Sequence, residues 1–65
     1  MAELSCFGKD IKKRLVDLGK TQEWLIGEVT EKTGLYFDSS YMYKILTGQL
    51  TTPKIMQAIQ EILEL

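Results

Sequence analysis

The chain of 65 residues has room for one domain and a single small core, because a chain this short buries only about 60% of the surface its unfolded form exposes. It contains no histidine and one cysteine, which excludes zinc sites of the cysteine/histidine type, histidine-assisted nucleophiles and intramolecular disulfides, so no enzyme, metal or cofactor is expected. At 45% hydrophobic and 26% charged residues with a net charge of -1, the composition is that of a globular domain and argues against disorder.

Phe7, Ile11, Leu15 and Leu18 recur at helical spacing and predict a first amphipathic helix over about 5–18, with Lys9, Lys12, Lys13 and Asp17 opposite. Gly19 follows as its stop signal. Thr21 is placed to cap a second helix over about 21–33, with Leu25, Ile26 and Val29 facing inward. The run Thr30 to Thr33 holds no breaker, so Gly34 ends this helix, and Leu35 is expected to fold back on Val29. Asp38 is the cap candidate for a third helix over about 39–47, with Met42, Ile45 and Leu46 inward and Gly48 closing it. Thr52 as cap and Pro53 at the first helical position open a fourth helix over about 53–64, whose apolar stripe is Ile55, Met56, Ile59, Ile62 and Leu63. No segment alternates with period two, and no repeat or linker divides the chain. The expected architecture is all-α, with four helices in one domain spanning residues 1–65.

No run approaches the roughly 20 apolar residues of a membrane span, and Met1-Ala2-Glu3-Leu4 lacks the basic start and apolar stretch of a secretory leader. Cys6 is therefore expected to be a reduced thiol in a cytoplasmic protein. Charge is distributed unevenly. Lys9, Lys12, Lys13, Arg14 and Lys20 face only Asp10 and Asp17 in the first third, whereas Glu23, Glu28, Glu31, Glu61 and Glu64 come later. A local positive field survives the negative total.

Two short helices joined around 33–38, with a basic helix before them and a supporting one after, suggest a helix-turn-helix unit. Gly19-Lys20-Thr21-Gln22-Glu23-Trp24-Leu25 resembles the G-x-T-Q-x-x-L opening of the second helix in the Cro and phage-repressor helix-turn-helix family, the xenobiotic-response-element type. Asp38-Ser39-Ser40-Tyr41-Met42-Tyr43-Lys44-Ile45-Leu46-Thr47-Gly48 is similar to that family's recognition helix. Together the matching stretches cover most of residues 7–63. The chain departs from the pattern by about six additional residues, Thr30 to Leu35, between the central helices, and by Ile26 where the family typically has alanine. In this it resembles small repressor-like regulators of prophages and mobile elements. The resemblance implies a lambda-repressor-like domain that binds double-stranded DNA and regulates transcription, with its third helix in the major groove.

Under that resemblance Gln22 holds a backbone phosphate at the start of the second helix, where free N–H groups and the helix dipole favour an anion. Lys20 and the polar loop Thr47, Gln49, Thr51 and Thr52, with Lys54 beside it, complete the backbone contacts. Ser39, Ser40, Tyr43 and Lys44 lie opposite the inward face of the third helix and are the candidates for reading bases. The other reading of these residues is a solvated helix face with ordinary turn and capping chemistry, and the Lys12, Lys13, Arg14 run has the same alternative. Trp24 is expected to pack under the long loop, covered by Tyr36 or Phe37; alternatively the three rings form a patch for a protein partner. Pairing as a weak homodimer on a palindromic site is expected through the apolar end at Ile62, Leu63 and Leu65. The rival function is a protein-interaction module on the same scaffold, binding a repressor or another phage or host protein, which the acidic balance and the lack of arginine in the third helix favour.

Overall fold

The computed structural model describes residues 3–65 and contains four helices and no strand among them: α1 (Cys6–Leu18), α2 (Gln22–Thr33), α3 (Ser39–Leu46) and α4 (Pro53–Leu63). Met1 and Ala2, on which part of the leader argument rests, lie outside the described residues. No helix among the described residues is long and apolar enough to cross a membrane.

Side-chain caps set three of the four starts. Ser5 Oγ accepts the Gly8 N–H at 3.0 Å, Thr21 Oγ1 accepts the Trp24 N–H at 3.1 Å, and Asp38 Oδ1 accepts the Tyr41 N–H at 2.9 Å. Each satisfies one of the donors a helix leaves orphaned in its first turn. α4 begins differently. Pro53 takes the first position, and Thr52 makes no side-chain cap, so the capping role expected of that hydroxyl is corrected. At the other end of α1, Gly19 is left-handed at φ 68°, with its N–H on the Val16 carbonyl and the Lys20 N–H on that of Leu15. That pair of bonds closes the helix as a Schellman turn.

All four helices bury residues in one core: Ile11 and Leu15 from α1, Leu25 and Val29 from α2, Met42, Ile45 and Leu46 from α3, and Ile55, Ile59 and Leu63 from α4. The loop after α2 adds Phe37, whose ring lies 5.1 Å from that of Tyr41 in a tilted pair. Three apolar expectations are corrected. Leu18 and Leu35 are each 39% exposed rather than inward-packed, and Leu63, buried as its place in the α4 stripe requires, is not free to join a pairing surface at the chain's end. Phe37 takes the place expected of Leu35. The Thr30 hydroxyl, which donates to the Ile26 carbonyl, also lies 3.4 Å from the Phe37 carbonyl, and Thr33 Oγ1 accepts the Leu35 N–H.

Two long-range ties join α1 to the ends of α3 and α4. The Leu46 carbonyl at the end of α3 accepts both the backbone N–H and the hydroxyl of Ser5, at 2.9 and 3.1 Å. Gly8 is buried beside it. Arg14 donates Nε to the Leu63 carbonyl at 2.7 Å and pairs with Glu64 at 3.2 Å. Its guanidinium thus sits at the negative end of α4, where a cation is favoured. A hydrogen bond involving a charged group contributes about 1.5 to 3 kcal/mol, whereas the exposed pair with Glu64 adds little. Arg14 therefore does not belong to a purely solvated basic face.

Candidate nucleic-acid interface

α3 divides cleanly into two faces. Met42, Ile45 and Leu46 are buried, while Ser39, Ser40, Tyr43 and Lys44 are exposed. Both ends are held. Asp38 caps the first turn, and Ser5 takes the last carbonyl. Tyr41, half-buried on the flank, shares a hydroxyl–hydroxyl bond of 2.5 Å with Thr52 and so links α3 to the segment leading into α4. A short helix fixed in this way presents its outward side chains with little freedom to shift.

The capping carboxylate has a second partner. Asp38 Oδ2 accepts the Tyr36 hydroxyl at 2.7 Å. That bond first, and the Tyr41 N–H second, hold the Asp38 carboxyl below its ordinary range. The same bond, with the carboxylate charge, raises the Tyr36 phenol. Because the folded-state value is the lower one, the contribution of this carboxylate is complete above the ordinary aspartate range and is lost as pH falls through the lowered folded value. Tyr36→Phe is expected to move the Asp38 titration upward, read from its side-chain carbon shift. Asp38→Asn, which can still cap a helix, should flatten the acid limb of a stability–pH curve. An Asp38 titration unmoved in Tyr36→Phe would refute this account.

The other expected contacts fall into separate groups. Thr47 donates its hydroxyl to the Tyr43 carbonyl at 3.0 Å and accepts the Gln49 amide at 2.9 Å, which makes one small polar unit at the end of α3. Thr51 is exposed, and Thr52 is half-buried with its hydroxyl committed to Tyr41. Lys54 lies along the groove between α2 and α4 with Lys32, Thr33, Gln57 and Glu61, where Lys32 and Glu61 pair at 3.1 Å. At the start of α2, Lys20 and Gln22 share a shallow depression with Lys12 and Val16. The Lys20 ammonium lies 5.5 Å from the centre of the Trp24 ring, a cation–π distance.

Several expected groupings do not form. Phe37 is only 4% exposed and Tyr36 is 77% exposed, so Trp24, Tyr36 and Phe37 make no common exposed patch. The end at Ile62, Leu63 and Leu65 is interrupted by the burial of Leu63, with Ile62 half-buried and Leu65 exposed. Sequence reasoning missed Ser5, Gly8 and the Tyr36–Asp38 bond. The last had a readable signal, since residues two apart in extended backbone project to the same side.

No family model matches the chain, and neither a curated protein nor a solved structure is found to be similar to it.

Proposed function

We propose that the protein is a sequence-specific double-stranded DNA-binding regulator of transcription, with α3 in the major groove. The observation that carries this reading is the two-faced, doubly anchored α3, whose outward side offers Ser39, Ser40, Tyr43 and Lys44. Lysine donates to guanine O6 and N7, and serine pairs with several bases, so these groups match what a major groove displays. Lys20 and Gln22 at the start of α2, and the Thr47–Gln49 unit after α3, supply donors suited to phosphates. The motif resemblance at 19–25 and 38–48 supports the same assignment. One small domain reaches few phosphates, so two copies pair weakly on a near-palindromic site.

The test separates contacts that position from contacts that read. Gln22→Ala is expected to weaken binding to every duplex by a similar factor and leave specificity intact, because the backbone carries no direct sequence information. Lys44→Ala is expected to relax preference at one position of each half-site, at a cost of about 1 to 3 kcal/mol to the preferred sequence. Titrations on selected and random duplexes measure both. If the wild type ignores duplex DNA and heparin and co-purifies with a protein, the interaction-module reading replaces this one.

A further inference from the structure

Tyr36 stands out on the surface because the residue is 77% exposed although both neighbours in the fold are fixed. On one side Phe37 is buried in the core; on the other the Leu35 N–H is held by Thr33. The Tyr36 hydroxyl reaches Asp38, the residue whose other carboxylate oxygen caps the first turn of α3. The hydroxyl thus ties the ring to the residue that caps the N-terminal end of α3. Its polar end is already occupied. What it offers outward is an apolar face.

We infer that the Tyr36 ring packs against the methyl group of a thymine next to the bases reached by α3, and so adds to sequence preference. This rests on the DNA-binding reading above. The thymine C5-methyl is the apolar group that base edges display in the major groove, and an apolar ring held in place loses little freedom on meeting it. The anchoring by Phe37 and Asp38 supplies that fixity. A hydroxyl bound to Asp38 is, by contrast, poorly placed to serve a phosphate.

The test uses the full chain and the duplex obtained by selection from random DNA. Each thymine is replaced in turn by uracil, which removes only the C5-methyl. Wild type is expected to lose about fourfold in affinity at one thymine of each half-site, the worth of one buried methyl at roughly 0.8 kcal/mol. Tyr36→Ala should be insensitive to that replacement, and Tyr36→Phe, which keeps the ring but loses its tie to Asp38, should keep part of the wild-type sensitivity. Thermal melts of both variants show that they remain folded. The inference fails if Tyr36→Ala keeps the wild-type response to uracil at every position. It also fails if no thymine matters, or if Tyr36→Phe weakens all duplexes as much as Tyr36→Ala, which would make the hydroxyl a phosphate contact. Those failures leave DNA binding itself standing. Absence of wild-type binding to any duplex would remove both readings.

Discussion

Gly8→Ala is expected to destabilise the protein by about 2 to 4 kcal/mol, against the usual sign of that substitution inside a helix. Replacing a helix-interior glycine by alanine ordinarily gains about 0.5 to 1 kcal/mol. At Gly8, however, a Cβ would lie 2.0 Å from the Leu46 carbonyl oxygen and 2.8 Å from its carbon. Both atoms are backbone, so no rotamer relieves the overlap. Either α1 or the end of α3 must move, and Leu46 is also the acceptor for both hydrogen bonds from Ser5. Overpacking and the weakening of those bonds outweigh the helical gain. Gly27 provides the control, because it is exposed within α2 and a Cβ there meets nothing within 4 Å. Gly27→Ala should stabilise by roughly 0.5 to 1 kcal/mol. Urea titration of the two variants gives opposite signs if the α1–α3 approach is as close as described, and the same sign if it is not. In a DNA-binding protein Gly8→Ala should also lose affinity, since the end of α3 is displaced.

Much of the helical framework is legible in single residues. Thr21 and Asp38 cap where expected, Gly19 and Gly34 stop helices in left-handed conformations, and Pro53 opens the last helix. These signals are local, because each states what one or two backbone groups need. Burial is not local in that sense. Periodicity put Leu18 on the same stripe as Ile11 and Leu15, yet an apolar stripe says only which face meets the core, and Leu18 remains partly exposed. Leu35 was expected to fold back on the second helix, but Phe37 is the loop residue that is buried. The extended path into Asp38 decides for Phe37, and only the whole loop shows that path.

The candidate interface was legible where it follows from helix phase and obscure where it follows from contacts between distant segments. Ser39, Ser40, Tyr43 and Lys44 are exposed as the phase of α3 requires. Thr52 was read as a cap from its place before Pro53, but its hydroxyl instead meets Tyr41 eleven positions earlier. Gly8 carried a weak signal, since it falls three and seven residues before Ile11 and Leu15 on the inward side of α1. A missing side chain on a buried face marks a place where another backbone can come close.

Ile45→Ala is expected to unfold much of the population at room temperature. Ile45 is 2% exposed, on the side of α3 opposite the proposed reading face. Truncating a buried isoleucine or leucine to alanine costs about 2 to 5 kcal/mol, from lost transfer energy and the cavity left behind. A core this small rarely supplies more than about 3 to 5 kcal/mol in total, so one truncation consumes most of the stability. Leu25→Ala, at a site with no exposure, should behave alike. Leu18→Ala removes a side chain of the same type from a site 39% exposed, and should cost less than about 1 kcal/mol. Ile45→Val keeps most of the packing and should lose only about 0.5 to 1.5 kcal/mol, leaving a folded protein in which α3 can still be assayed on DNA. Circular dichroism melts of the four variants rank them. If Leu18→Ala proves as damaging as Ile45→Ala, the end of α1 is covered rather than exposed, and the burial described for it is wrong.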